Sequence, residues 1–284
     1  MMEQTERSPK RVIALHDMSS FGRCALSVIM PVLSVMRAQV CAVPTALLST
    51  HTGGFDDFYF EETTRFMQQT LRHFQKLGLH FDAVYSGFLG NEDQIDVVEE
   101  YLRAYPRAIR LVDPAMGDDG KLYATCTPRL CARMRRLTEQ ADMITPNLTE
   151  AALLLDEPYC PAPEEETLRE WVRRLSNGGQ RSVVITGALK DGGVQNVGFD
   201  HVNVEYFTVR SDLLHAEFPG TGDIFASVLL GAALRGAPFA ACVKEAAAFV
   251  CECIRITQAT PQERRNGVSL EFALDWLARE NAKL

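Results

Sequence analysis

Short apolar runs and helix-spaced apolar positions take turns along this chain. Residues 11–16, RVIALH, form a continuous apolar run of strand length. Residues 17–22 follow as a polar loop ending in glycine. Apolar positions over 24–36 recur at helical spacing, and 40–47 is a second strand. The same pattern predicts a helix over 60–77, a strand over 83–86, a helix over 92–104 and a strand over 108–112 that ends at Asp113-Pro114. A helix over 128–137, a short strand at 143–144 and helices over 148–155 and 164–176 come next. Residues 183–186, Val-Val-Ile-Thr, are β-branched and suit a buried strand. Residues 193–209 alternate and predict an antiparallel hairpin turning near Asp200-His201. Helices follow Gly220 to residue 235, over 239–256 and over 270–280.

Strands alternating with helices imply βαβ units and a mostly parallel sheet, hence an α/β fold. No composition break divides the chain, so residues 1–284 form one domain, with 1–10 a flexible N-terminus. The proline-rich stretch 158–163 is a loop between helices. In such sheets ligands bind beyond the carboxyl ends of the strands. The positions there are Asp17, 50–54, Gly87, Phe88, Asp113, 147–150, Thr186 and Gly187.

Composition narrows the partners. With 46% hydrophobic and 23% charged residues the chain is too apolar for disorder. A formal charge of -8 argues against nucleic acid, which calls for a basic surface. The opening MMEQTERSPK has no apolar core of a secretory leader. The longest apolar stretch, 224–243, is broken by Gly231, Arg235, Gly236 and Pro238, short of a membrane span. A cytoplasmic protein that binds no membrane is expected. Its eight cysteines contain no C-x-x-C pair and read as reduced thiols filling the core.

The sharpest motif is Pro219-Gly220-Thr221-Gly222-Asp223, which runs straight into IFASVLLGAAL. Glycines let the backbone turn and approach a ligand closely. The free N–H groups of a helix start, aided by the dipole, bind anions and can neutralise a transferring phosphoryl group. Asp223 in the first turn can accept a proton from a substrate hydroxyl. The residues alone equally allow Asp223 as a helix cap and Gly220 as a turn. Neither a Walker loop nor a dinucleotide fingerprint is present.

Six segments in order carry a resemblance: HDMSSFGR at 16–23, STHTGGF at 49–55, SGFLG at 86–90, VDPAMGDDGKLY at 112–123, TPNLTEA at 145–151 and PGTGDIFAS at 219–227. Together they resemble the ribokinase-like superfamily, most closely its pyridoxal/pyridoxamine (vitamin B6) kinases. The resemblance implies a single-domain three-layer sandwich with a central, mostly parallel sheet. It implies an ATP-dependent kinase acting on the 5′-hydroxymethyl group of a B6 vitamer, with ATP and Mg²⁺ as cofactors, a monovalent cation as an optional addition, and a homodimer as the assembly. Asp223 then takes the role of base, and Gly220, Thr221 and Gly222 form the anion hole. Asp113 and Glu150 become carboxylates near the phosphates and metal, reaching it directly or through water. On the residues alone they are also a strand-end turn and a first-turn helix acid. The resemblance assigns Thr145, Thr186, Gly187 and Val209 to the nucleotide, with 209–214 as a loop over it.

On the substrate side the resemblance assigns Asp17, His51, Thr52, Gly53 and Phe88. Many pyridoxal kinases have serine where Asp17 stands, and often tyrosine where Phe88 stands. Asp17 either contacts the substrate ring or caps the helix after Gly22. His51 either bonds ring substituents or holds its loop. Phe88 can pack on a flat ring but donates no hydrogen bond. A hydroxymethylpyrimidine or sugar kinase, and a non-catalytic nucleotide- or vitamin-binding regulator, stand as alternatives.

Overall fold

The computed structural model describes residues 8–212 and 218–283. The chain runs through β1 (Lys10–Phe21), α1 (Leu26–Val35), β2 (Ala38–Thr50), β3 (Phe60–Glu62), α2 (Thr64–Lys76), β4 (Ala83–Ser86) and α3 (Asp93–Ala104). It continues with β5 (Ile109–Val112), β6 (Gly117–Asp118), β7 (Lys121–Leu122), α4 (Pro128–Thr138), β8 (Met143–Ile144), α5 (Leu148–Leu155) and α6 (Glu165–Leu175). It closes with β9 (Ser182–Lys190), β10 (Gly193–Asp200), β11 (Glu205–Asp212), α7 (Thr221–Leu234), α8 (Phe239–Gln258) and α9 (Leu270–Ala282).

One nine-stranded sheet has the order β11-β10-β9-β8-β5-β4-β1-β2-β3. Its six central strands, from β9 to β2, are parallel. Antiparallel β10 and β11 close one side and antiparallel β3 the other. Alternation along the strands decides the layers. Ile13 and Leu15 of β1 face a core shared with Met67 and Leu71 of α2, Val98 and Tyr101 of α3, Met134 of α4 and Trp171 of α6. Val12 and Ala14 face the opposite core, with Ile29 of α1, Leu229 of α7, Phe249 of α8 and Leu277 of α9. Each such Val, Leu, Ile, Met or Phe side chain, fully buried, stabilises the fold by about 1.5–3 kcal/mol. The result is the expected three-layer α/β sandwich.

Three differences from the sequence pattern concern the functional edge. Residues 17–21 form no loop: β1 continues through them, paired with β2 as far as Phe21 opposite Thr50. β4 leaves β1 at Ser86 opposite Leu15, so the β1–β2 ribbon projects beyond the sheet. The predicted helix 60–77 begins instead as β3, whose Phe60 to Glu62 pair with Leu48 to Ala46 of that ribbon. The Glu62 carboxylate then accepts the Thr64 N–H at 2.9 Å and starts α2. Val209 lies in β11 opposite Asn196, packed toward α8, and not in a covering loop. Residues 213 and 214 of that expected loop lie outside the described residues, as do 1–7 of the expected flexible N-terminus.

No described helix is long and apolar enough to cross a membrane. All eight cysteines are free, and four of them are buried.

Candidate active site

The carboxyl ends of β4, β5 and β8 bring Gly87, Asp113 and Thr145 to one edge of the sheet, level with His16-Asp17 within β1 and Thr186 within β9. Two helix starts meet them. Gly220 precedes α7 in the left-handed backbone region, at φ 83°. A Cβ there would collide with the Arg23 carbonyl, so glycine lets the 219–222 turn pack against the segment before α1. α1 itself starts at Ala25, which holds φ 53° despite its methyl group. That conformation costs about 1–3 kcal/mol, and it directs the Ala25 N–H at Asp223 Oδ2, 2.6 Å away.

Asp223 does not cap its own helix, whose N-cap is Gly220 with no side-chain cap bond. Its Oδ1 lies 3.0 Å from His16 Nε2. His16 Nδ1 in turn lies 2.9 Å from Asp17 Oδ1, and Ser19 Oγ donates to Asp17 Oδ2 at 3.1 Å. His16 and Asp17 are both buried. Burial works against a charge on His16, but Asp223 and Asp17 outweigh it and push its pKa up to about 10. Thr221 Oγ1 donates to the Phe218 carbonyl at 3.0 Å, which leaves the helix start to present backbone N–H groups. At Gly222 no atom lies within 4 Å of where a Cβ would stand, so this face is open to a ligand.

Asp113 and Glu150 form a second centre. Thr145 Oγ1 donates to Asp113 Oδ1 at 2.9 Å. Glu150 accepts the Asn147 N–H at 2.9 Å, Asn147 accepts the Glu150 N–H at 2.9 Å, and this reciprocal capping box begins α5. The other Glu150 oxygen accepts the Met116 N–H at 3.2 Å. The β6–β7 ribbon, absent from the sequence pattern, is tied down here: Asn147 Nδ2 donates to the Gly117 carbonyl and Thr149 Oγ1 accepts from Gly120. Burial and then the Asp223 charge push the Asp113 pKa up to about 7, with His16 and Thr145 opposing. Burial and Asp113 hold Glu150 well above the usual carboxylate range.

Thr186 donates its N–H to the Pro146 carbonyl, and Gly187 donates to Asn196 Oδ1 at 3.2 Å. The first bond joins the middle of β9 to the loop before α5, and the second joins it to β10. The substrate-side residues are also positioned by identifiable contacts. Phe88 is buried in a small cluster with Ala46, Leu48, Phe58, Phe60 and Ala115. Its carbonyl accepts from Thr45 Oγ1 at 2.7 Å. His51 donates from Nε2 to the Arg265 carbonyl at 2.7 Å and accepts the Gly53 N–H at Nδ1, 3.1 Å. Both ring nitrogens thus hold the 51–54 loop, with Thr52 half-buried beside them. Asp17 likewise spends its oxygens on His16 and Ser19; it does not cap α1, whose N-cap is Ala25.

His16 was not a candidate from the sequence, where it closes an apolar strand like a core histidine. The available signal was its neighbour: a His-Asp pair at a strand's carboxyl end, in the ligand-binding position.

A parallel sheet of this order, with a glycine turn presenting a carboxylate at its carboxyl edge beside two buried acids, defines a small-molecule kinase of the ribokinase-like fold. The chain belongs to the phosphomethylpyrimidine kinase family, whose sequence pattern matches residues 30–268. A Bacteroides thetaiotaomicron protein described as a phosphomethylpyrimidine kinase, crystallised with pyridoxal, superposes with a TM-score of 0.90 at 36% identity, over 95% of this chain and 96% of that one. The pyridoxal kinase of Lactobacillus plantarum gives 0.88 at 30% identity, over 97% and 98%. The Escherichia coli hydroxymethylpyrimidine/phosphomethylpyrimidine kinase is 27% identical, over 87% of this chain and 91% of that one.

Proposed function

We propose that the protein transfers the γ-phosphoryl group of ATP to the 5′-hydroxymethyl group of a B6 vitamer (pyridoxal, pyridoxamine or pyridoxine), a salvage step toward pyridoxal 5′-phosphate. The observation that carries this is Asp223. Its carboxylate is held through one oxygen by Ala25 N–H and through the other by His16, beside a helix start whose Gly222 face is open. A carboxylate has about four lone-pair sites, so Asp223 retains capacity for a substrate hydroxyl. The hydroxyl oxygen bonds to the γ-phosphorus as the bond from that phosphorus to the β,γ-bridging oxygen breaks. ADP leaves and the hydroxyl proton goes to Asp223. The N–H groups at Gly220 to Asp223 face the phosphoryl oxygens.

Asp113 and Glu150 suit a hard divalent cation, Mg²⁺ in this reading. They are buried oxygen donors whose proton affinity is raised, burial first in both, then Asp223 for Asp113 and Asp113 for Glu150. Among the described residues no group of three or more His, Cys, Asp or Glu forms a metal cage. Two carboxylates with water and phosphate oxygens are the usual Mg²⁺ set. When bound, the cation neutralises phosphate charge. Thr145, Thr186 and Gly187 border the same nucleotide side. Phe88, within its apolar cluster, offers a flat surface for a pyridine ring, with Thr52 and Gly53 at the rim. We also take the protein to be a cytoplasmic homodimer. Exposed Met18, Phe21 and Leu47 on the projecting ribbon support an assembly there.

The second substrate class is hydroxymethylpyrimidine, favoured by the family's own description and by the E. coli relative. ATP consumption measured with pyridoxal, pyridoxamine, pyridoxine and hydroxymethylpyrimidine separates the two. Turnover of a B6 vitamer above the pyrimidine is expected. No turnover of any vitamer overturns the assignment.

A further inference from the structure

Four acids gather at the carboxyl edge: Asp17, Asp113, Glu150 and Asp223. Among the described residues, His16 is the only basic side chain paired with any of them. The space for its ring is prepared. A Cβ on Gly87, at the end of β4, would run into the His16 ring. Tyr85 of the same strand meets the ring edge-on, with centroids 6.1 Å apart. His16 Nε2 has no partner apart from the Asp223 carboxylate, so a loss of that contact would leave it orphaned in the interior. A histidine serving only as core filling would not need two carboxylates, one on each nitrogen.

We propose that His16 is a positioning residue of the transfer reaction: clamped between Asp17 and Asp223, its ring holds the base carboxylate in place and supplies its counter-charge. Asp17 orients the ring through Nδ1, and Nε2 faces Asp223, so the order Asp17–His16–Asp223 links three elements of the site. This assigns Asp17 to the base side of the reaction. It rests on the reading of Asp223 as the base.

The groups facing His16 all bear on its charge. Asp17 lies on its own strand and Asp223 on α7. Asp113, at the end of β5, feels the His16 charge as a stabilising one. The Tyr85 hydroxyl and the Cys24 thiol are both held protonated, burial first and the neighbouring carboxylates second. The charged ring is thus the local counterweight to several negative or proton-retaining groups. Its raised proton affinity, up to about 10, agrees with that role.

The test compares H16Q, which keeps a donor but loses the charge, with the wild-type enzyme and D223N. The readouts are kcat, KM and the pH profile of kcat/KM with the best vitamer, with ADP binding and thermal melting as checks of folding. In H16Q, kcat is expected to fall at least about tenfold with ADP affinity retained. The alkaline limb set by His16 should vanish. An H16Q profile superimposable on wild type, with only a lower melting temperature, overturns the proposal. Near-normal turnover in D223N overturns the base reading itself, a separate result. If H16Q fails to fold, D17N carries the same test. An alkaline limb that falls at lower pH supports the proposal, and an unmoved limb overturns it.

Discussion

The two carboxylate centres at the carboxyl edge are built alike and charged differently. Both place acids at strand ends or helix starts, and both use backbone N–H groups to hold them. Asp223 has a histidine cation against it, with Ala25 N–H on its other oxygen. Asp113 has one hydroxyl and Glu150 two N–H groups, with no basic partner bonded to either among the described residues. Burial therefore raises the proton affinity of Asp113 and Glu150. A buried charge left uncompensated is costly. The first centre carries its counter-ion in the sequence, and in the function proposed above the second receives one from outside. On that proposal the base is ready before substrate arrives, whereas the cation site is completed with the nucleotide.

The largest break in this comparison is Asp223→Asn. The amide keeps the volume and a carbonyl for Ala25 N–H, but accepts no proton. We expect kcat to drop by about 10²-fold or more, with ATP binding nearly intact by calorimetry. Next in size is Glu150→Gln. Glutamine still completes the capping box with Asn147, so α5 should form normally. What changes is the charge, together with the acceptor for the Met116 N–H, which the amide nitrogen cannot supply. The Mg²⁺ concentration for half-maximal activity should rise about tenfold or more, and Mg²⁺-ATP should raise the melting temperature less than in wild type. An unchanged Mg²⁺ titration would remove Glu150 from the cation site.

A pH series on stability sharpens the same contrast. The His16 pKa is raised by the fold from 6.5 to about 10. The folded protein therefore holds a proton that the unfolded chain releases between those values. The stabilisation is complete below about pH 6.5 and is lost as pH rises through about 10. Urea unfolding at pH 7 and pH 10 should show a drop of at least about 1 kcal/mol in wild type, and a smaller one in H16Q. Equal drops in both would mean that His16 is not the group holding the proton.

How much of this was legible beforehand depends on where each signal resides. β4, β8 and α5 match their predicted limits, because short apolar runs between breakers are local features. The Gly220–Asp223 helix start was legible for the same reason. Met18, Ser19 and Ser20, polar-mixed and followed by Gly22, suggested a loop. They are strand only because β2 runs beside them to Thr50. Phe60 to Glu62 joined a helix by pattern and a strand by partnership. The role of His16 depends on Asp223, more than two hundred positions away, and on a glycine at 87 that makes room for it. No window along the chain contains all three.

The finest distinction lies between two glycines of one turn. Gly220 is held by sterics: positive φ and contact with the Arg23–Cys24 backbone leave no room for a side chain. Gly222 is under neither constraint, since it lies inside α7 and a Cβ there would meet open space. Folding alone would favour alanine at 222, because glycine in a helix costs roughly 0.5–1 kcal/mol relative to alanine. Gly222→Ala should therefore raise the melting temperature slightly, by about 1–3 °C. If the open face is where phosphoryl oxygens approach the backbone N–H groups, the same methyl group must weaken catalysis. The expected outcome is a more stable protein with several-fold lower kcat/KM for ATP. A stabilised variant of full activity would put the phosphate elsewhere than on the α7 start.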